Sequence, residues 1–294
     1  MKHLIVIAFL FPAWTHLLAQ HSEFQSLYMY DAVSVNPAYA GNKGALVLNA
    51  NYRDQWGGIK GSPKTLSFTA HLLTKSKKAG LGFSVLNDKF GIQNNLKINA
   101  IYAYKIRLKN NELSFGLAGG IRDQSIDLNA LNLNTPDDAA FMNQPRRSIT
   151  PDFTFGAMYK TRRFLVGLSA PNLVNLKDPN AFRSVNGYLS AVFGLSNDIK
   201  LKPSALIKYV MHSPVAYEGN LTVYYRTMFS FGAGLRSDQT GNFHLRAQLN
   251  RQFGVAYLYE RNFGSFSRFL QNTHEFMINY TFDYQTNVQS PRYL

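Results

Sequence analysis

The side chains that could act on a substrate are few and scattered. Seven histidines are spread over 294 residues. No two of them stand in the His-x-x-x-His spacing that would place two imidazoles on one helix face for a metal. Ser67 and His71 lie four residues apart on one face of an alternating segment. That is half of a Ser–His nucleophile pair, but no third polar group follows to orient the imidazole. Asp137, Asp138 and Asp152 could hold a cation in a loop, although adjacent acids in loops are mostly just solvated. The absence of cysteine excludes disulfides, thiolate zinc sites, thiol catalysis and a lipid anchor on an N-terminal cysteine. The inventory describes a chain that is not an enzyme and implies no cofactor and no metal.

The elements that carry these residues are more informative. After the first twenty or so residues, the chain divides into about fourteen segments of roughly ten residues, each with an apolar residue at every second position. Leu46, Leu48, Ala50 and Tyr52 alternate with Val47, Asn49, Asn51 and Arg53. Leu96, Ile98, Ala100, Tyr102, Tyr104 and Ile106 form the longest such run, and Phe276, Ile278, Tyr280 and Phe282 the last. Successive strand side chains point to opposite faces, so each segment has one greasy and one polar face. A half-buried soluble strand has the same period. Segment length, number and spacing together predict an all-β fold: a transmembrane antiparallel β-barrel of about 14 strands. Aromatics at 14% suit the girdles of such a barrel, and no apolar run after the N-terminus is long enough for a membrane helix.

The gaps between segments set the topology. Those near 75–78, 109–111, 161–163, 197–199, 227 and 251–252 are brief. The intervening ones near 55–63, 87–94, 123–150, 171–186, 238–242 and 262–273 are expected to be longer, with only His212–Val215 short. In bacterial barrels the short turns face the periplasm, and an even strand count leaves both termini there.

A net charge of +14 raises the question of nucleic acid. The basic residues are scattered singly along strands and turns, not clustered on one helix or interleaved on an aromatic platform, so no nucleic-acid partner is expected. Lys97, Lys105, Arg107, Lys160, Lys208, Arg226 and Arg246 take inward positions and describe a hydrated basic interior. Lys75, Lys77, Lys78, Arg162 and Arg163 fall in short turns, where they could dock an acidic periplasmic partner.

The ends differ from the barrel at 44–284. Residues 1–19, with Lys2, an apolar stretch and Ala19, read as a secretory signal. Residues 20–43 are too apolar and aromatic for a free tail. Pro37 interrupts any helix there and pushes Asn36 toward an extended conformation. This segment is expected to fold back as a short plug at the periplasmic mouth, and 285–294 to form a periplasmic tail.

The stretch Asn36-Pro37-Ala38-Tyr39-Ala40-Gly41, then Tyr52-Arg53-Asp54-Gln55-Trp56 and Gly61-Ser62-Pro63-Lys64-Thr65, resembles the PorP/SprF family of Bacteroidetes outer-membrane proteins. Leu86-Asn87-Asp88, Leu113-Ser114-Phe115-Gly116-Leu117, Leu201-Lys202-Pro203-Ser204 and His274-Glu275-Phe276-Met277 match in order. The resemblance covers essentially the whole mature chain, with Asp54 standing where the family often has Asn. It implies a non-enzymatic role in type IX secretion and gliding motility. It further implies export or surface attachment of a cargo protein, such as an adhesin with a C-terminal sorting domain, and contact with periplasmic components of that machinery. It marks Asn36, Pro37, Ala38, Tyr39 and Gly41 as one family motif. Arg53, Gln55, Trp56, Gly61 and Pro63 form a second. The loop at 123–150 is long enough to be functional, and Phe141, Arg146 and Arg147 are its candidate cargo contacts. A FadL-like channel for hydrophobic molecules is the alternative and would need a continuous apolar lumen. A general porin would need an open one.

Overall fold

An alternating apolar and polar sequence makes an amphipathic strand, not a helix. In the computed structural model, which describes residues 25–128, 146–173, 184–211, 213–265 and 267–282, these segments form one antiparallel sheet. Its strands are β1 (Leu46–Asp54), β2 (Lys64–Leu73), β3 (Ala79–Phe90), β4 (Gln93–Leu108), β5 (Asn111–Ile126), β6 (Arg147–Lys160), β7 (Phe164–Ala170) and β8 (Ser184–Ala191). They continue as β9 (Phe193–Gly194), β10 (Ile199–Val210), β11 (Ala216–Tyr225), β12 (Phe229–Arg236), β13 (Thr240–Gln248), β14 (Phe253–Asn262) and β15 (Thr273–Phe282). Strand β1 closes the ring against β15, with Leu46 opposite Phe282 and Asp54 opposite His274. β8 and β9 both pair with β10 and are two pieces of one stave, so the cylinder has 14 strands. Pro203 in β10 stands opposite the break between them and has no N–H to give the ladder. Closure leaves no sheet edge facing hydrocarbon, which an open sheet could not survive.

The faces divide as the alternation dictates. In β5, Phe115 and Leu117 are outward and exposed, whereas Ser114, Gly116 and Ala118 are inward and buried. In β1, Val47, Asn49, Asn51 and Arg53 point into the lumen. Two of the seven basic positions expected to face inward do not. Arg226 occupies the β11–β12 turn at φ 52, paired with Asp198 at 3.3 Å. Arg107 is exposed near the end of β4. Both sit where a strand runs out and its parity no longer decides which way a side chain faces.

One rim carries the connections 74–78, 109–110, 161–163, 195–198, 226–228 and 249–252, all short. The opposite rim is less uniformly long than expected. The gap predicted over 87–94 is a hairpin of two residues, Gly91 and Ile92, and that over 238–242 is the turn 237–239. Both strand pairs run further than the apolar alternation because polar residues such as Asn94, Asn95, Asp88 and Lys89 continue the pairing. Gly91 at φ +57 supplies the left-handed residue that a tight hairpin needs.

Residues 25–45 lie inside the barrel. Three short 3-10 turns, Ser26–Met29, Ala32–Ser34 and Pro37–Tyr39, follow one another. Leu27, Tyr28, Met29, Val33, Ala38 and Tyr39 are buried there with Leu206, Leu258 and Met277 of the wall. Pro37 sits at the start of the third turn, where its missing N–H costs nothing. Asn36 before it is extended (φ −143, ψ 114), and its Oδ1 accepts the Ala38 N–H at 2.9 Å. The segment is not confined to one mouth. Gly41 lies against Leu72, Leu73 and Gly80 near the short-turn rim, while Ser26 contacts Glu275 and Glu260 near the other rim. The plug therefore runs along most of the lumen, a reach that sequence alone could not set.

The outward stripes carry a direct consequence. Leu117→Arg places a cation at mid-height on the outer face of β5 and should cost about 2–4 kcal/mol, whereas lumen-side Thr222→Ser should cost well under that. Urea unfolding in lipid vesicles reads both; equal effects would show that the stripes do not meet lipid.

Candidate functional site

The lumen and its plug hold nearly all the buried polar chemistry, and two features secure the plug. The first is a lane of small residues across five adjacent strands. Gly80 pairs directly with Ala103, Ala103 with Gly116, Gly116 with Gly156, and Gly156 with Ser169. Against this lane lies the motif at 36–41. A Cβ on Gly80 would overlap the Ala40 carbonyl, one on Gly116 the backbone of Pro37 and Ala38, and one on Gly156 the Asn36 amide. The wall lacks side chains where the plug backbone presses on it. Asn36 Nδ2 donates to the carbonyls of Ala157 and Leu168 at 3.0 and 3.1 Å. Ser169 Oγ donates to the Val35 carbonyl at 2.7 Å. Gly41, at φ +73, turns the chain toward β1, and its N–H donates to His71 Nδ1 at 3.1 Å. Since His71 Nδ1 accepts that bond, the lone pair a Ser67 nucleophile would need from this nitrogen is already used.

The second feature is an ionic cluster from five strands around the start of the plug. Arg53 is 1% exposed; its Nη2 donates to Glu260 at 2.7 Å and its Nη1 to Glu275 at 3.0 Å. Arg236 Nη2 bridges Glu218 and Glu260 at 2.8 and 2.7 Å. Glu275 accepts the backbone N–H groups of Ser26 and Leu27 at 2.9 and 3.1 Å. The Ser26 hydroxyl donates to Glu260 and accepts from Arg236. Asn220 carries the network onward, donating to Glu218 at 2.7 Å and to the Tyr28 hydroxyl at 3.0 Å. Burial, then repulsion from Glu218, holds the Tyr28 phenol well above its usual value, so it stays a neutral partner. Two arginines meet three glutamates here, in a chain that is otherwise strongly basic.

The short-turn half of the lumen has the opposite balance. Lys43, Lys105, Lys160, Lys202 and Arg246 gather there with Glu112 and Asp31. Lys105 pairs with Glu112 at 2.9 Å, Lys160 Nζ donates to Asn42 at 2.9 Å, and Lys202 Nζ to the Met29 carbonyl at 3.3 Å. Burial, and next the neighbouring Arg246, lowers the Lys43 ammonium to about 8. Burial raises Asp31, which accepts from Thr69 at 2.6 Å.

The structure separates the residues singled out from sequence. The motif at 36–41 docks on the lane. Arg53 joins the ionic cluster, whereas Gln55 and Trp56 stay in the β1–β2 connection, with Trp56 N–H donating to Thr273 at 3.2 Å. Gly61, at φ +78, accepts from Gly91 N–H at 2.9 Å, and Pro63 is buried beside β2. Lys75, Lys77, Lys78, Arg162 and Arg163 are exposed on the short-turn rim. At the opposite rim Arg146 is exposed, and Arg147 is held by Asp123 through contacts of 2.5 to 3.1 Å. Phe141, Asp137 and Asp138 lie outside the described residues, as do 1–19 and 285–294. Asp152 binds Arg122 at 3.0 Å and Asn99 at 2.9 Å in the lumen. No group of three or more His, Asp or Glu able to hold a metal occurs among the described residues. Sequence reading missed Glu218, Arg236 and Glu260. For the two glutamates the available signal was an acid, rare in this chain, at an inward strand position; Arg236 carried none.

Comparison with known proteins places these features in context. A family model described as type IX secretion system membrane protein PorP/SprF matches residues 17–280, plug and barrel together. No curated protein matches the chain. Among solved structures, the chain is similar to the Acinetobacter baumannii outer membrane protein Omp33. The identity is 8%, coverage 82% of this chain and 100% of that one, and the TM-score 0.51. It is also similar to the Ralstonia pickettii toluene transporter TbuX, at 8% identity, 85% and 92% coverage and a TM-score of 0.52. At such identities the likeness is one of fold: an outer-membrane β-barrel.

Two substitutions test the plug's anchors. Arg53→Met leaves Glu260 and Glu275 short of a cation and should cost about 3–5 kcal/mol, with Arg53→Met/Glu275→Leu recovering part of the loss in urea unfolding. Gly156→Val should release the plug while the barrel stays closed. Limited proteolysis should then cut within 25–45 in a barrel that still runs as folded on an unheated gel; a protected segment would show that the lane is not what seats it.

Proposed function

The chain belongs to the type IX secretion system membrane protein PorP/SprF family, and we propose that it is a plugged outer-membrane barrel that helps a secreted cargo protein reach or stay on the cell surface. The observation that carries this reading is the occupied lumen. A segment covered by the family model runs along the lumen and packs against its wall with matched shape and charge, which suits a docking platform better than an open conduit. The cargo class is a large adhesin-like protein with a C-terminal sorting domain, with gliding motility as the process served.

In this reading the short-turn rim and the C-terminal end of β15 face the periplasm, by the usual orientation of bacterial barrels. Residues 1–19 are the cleaved export signal, 20–43 the plug and 285–294 a periplasmic tail. Lys75, Lys77 and Lys78 between β2 and β3, with Arg162 and Arg163 between β6 and β7, then form a basic arc for an acidic component of the secretion or motility machinery. On the outer rim Arg146 is exposed toward cargo, and Phe141 is a second candidate contact. Arg147 is the weaker contact because Asp123 already holds it.

The FadL-like alternative draws on the toluene transporter's fold likeness alone. It is disfavoured by the charged and polar groups in the lining of the lumen that remains beside the plug, Lys97, Arg122, Asp152, Asn99 and Lys208 among them.

Purification in mild detergent from native membranes should recover a secreted protein with a C-terminal sorting domain, a periplasmic machinery component, or both. Isolation of the barrel alone under several mild conditions would remove the reading. Reversing Lys75, Lys77 and Lys78 to Glu should lower recovery of the periplasmic component and leave the secreted cargo bound. Proteoliposomes carrying the barrel should neither swell quickly in small sugars nor take up fatty acid. Fast swelling would mean a porin, and fatty-acid uptake a transporter.

A further inference from the structure

On the outer face of the wall, the apolar stripes end at one level across six adjacent strands. Direct pairing sets Asn94, Lys89, Lys64, Asp54, His274 and Tyr259 side by side, from β4 through β3, β2, β1 and β15 to β14. Two residues nearer mid-wall the same strands show Leu96, Leu66, Tyr52, Phe276 and Tyr257, broken only by Asn87. Apolar outward residues with aromatic rings at their margin mark the edge of the lipid-facing band. The polar row therefore lies at the level of lipid headgroups.

Two lysines stand directly opposite each other in this row. Lys64 and Lys89 are both exposed, and neither ammonium makes an ion pair or hydrogen bond among the described residues. Lys60, exposed as well, precedes Gly61, whose carbonyl accepts the Gly91 N–H at 2.9 Å and ties the β1–β2 connection to the β3–β4 hairpin. The acids nearby are turned elsewhere: the Asp54 carboxylate lies against Gly57, and buried Asp88 accepts from Thr65 at 2.6 Å. Like charges directly opposite across a ladder repel. With Cβ atoms roughly 5 Å apart in such a pair, both ammonium groups reach one phosphate, and the repulsion becomes two charge-assisted contacts. Asn87 Oδ1 and Asp54 Oδ1 flank the pair as buried acceptors with no hydrogen-bond partner. Atoms in that state call for a donor, which the hydroxyls of a sugar supply. Toward mid-wall, Leu66, Phe68 and Phe83 are exposed on the same face, where acyl chains lie.

We infer that the outer face of β1 to β4 at this rim is a docking surface for a phosphorylated glycolipid of the outer leaflet, an acylated sugar bearing a phosphate. Lys64 and Lys89 clasp the phosphate, with Lys60 adding to the local positive charge. Asn87 and Asp54 receive sugar hydroxyls, and the acyl chains run along Leu66 and Phe68. An ordinary phospholipid meets the lysines equally well but lacks the ring of hydroxyl donors. The inference rests on the orientation proposed above, which puts this rim in the outer leaflet; neither cargo nor machinery takes part in it.

Native mass spectrometry of the full barrel in detergent tests this, titrated with monophosphoryl lipid A, its dephosphorylated form and phosphatidylglycerol. Saturable binding of the phosphorylated glycolipid is expected, tighter than either other lipid and weakened roughly tenfold or more in Lys64→Gln/Lys89→Gln. Lys64→Arg/Lys89→Arg keeps the charge and should retain binding, which separates a lost site from a misfolded barrel. Lys109→Gln on the opposite rim should change nothing. Equal binding of the dephosphorylated lipid, equal binding of phosphatidylglycerol, or affinity unchanged in the Gln double variant would each overturn the assignment. Orientation is read separately, because the chain has no cysteine. Ile59→Cys should react with a membrane-impermeant maleimide in intact cells. Labelling only after the cells are broken would overturn the orientation, and the outer-leaflet assignment with it, whatever the lipid titrations show.

Discussion

A polypeptide can lie flat against a β-wall only where that wall presents no side chains, and this steric condition governs the interior of the barrel. Gly80, Ala103, Gly116, Gly156 and Ser169 meet it by pairing opposite one another across five strands. Because the pairing is in register, small residues far apart in sequence become one continuous track. The plug backbone from Asn36 to Gly41 occupies it, and Asn36 borrows carbonyls on β6 and β7. A change of register by one residue in any of these strands would turn the lane outward to lipid and a large residue inward.

Charge fixes the other end of the plug. Arg53, Arg236, Glu218, Glu260 and Glu275 come from five strands and close on the backbone of Ser26 and Leu27. Burying charges is costly unless each is paired and hydrogen-bonded, and here Glu275 spends its oxygens on Arg53, Asn51 and two plug amides. Such a cluster contributes little net stability compared with apolar packing. What it supplies is placement, since a plug shifted by one turn would leave several charges unanswered. The excess of lysines in the short-turn half and of glutamates around Ser26 gives the lumen a polarity along its axis that matches the direction in which the plug lies.

Much of this was open to inspection in the sequence. The stripes beginning Leu46, Leu96 and Phe276 do specify outward faces, because the period of two is a property of the strand backbone itself. The motif at 36–41 was visible as an oddity, and Pro37 with Asn36 adopts the extended-then-turned geometry its residues demand. Other features were hidden for physical reasons. The tight turns at Gly91–Ile92 and Ser237–Gln239 lie within polar stretches that pair as strand, and apolar alternation is silent there. Arg226 and Arg107 sit at strand ends, where parity fails. Gly116 and Gly156 look like ordinary strand glycines until their partners are known.

The local sequence by itself therefore determined the strand as the repeating unit, its two unlike faces, the closed barrel those faces require, and the family. Those follow from short-range backbone geometry and from the cost of unpaired amides in hydrocarbon. Only the tertiary structure decided that the plug runs along the lumen and where it presses. It also decided which acids meet Arg53 and that a space remains beside the plug. Each of these depends on the register between strands distant in the chain, and no local pattern encodes which residue will stand opposite which.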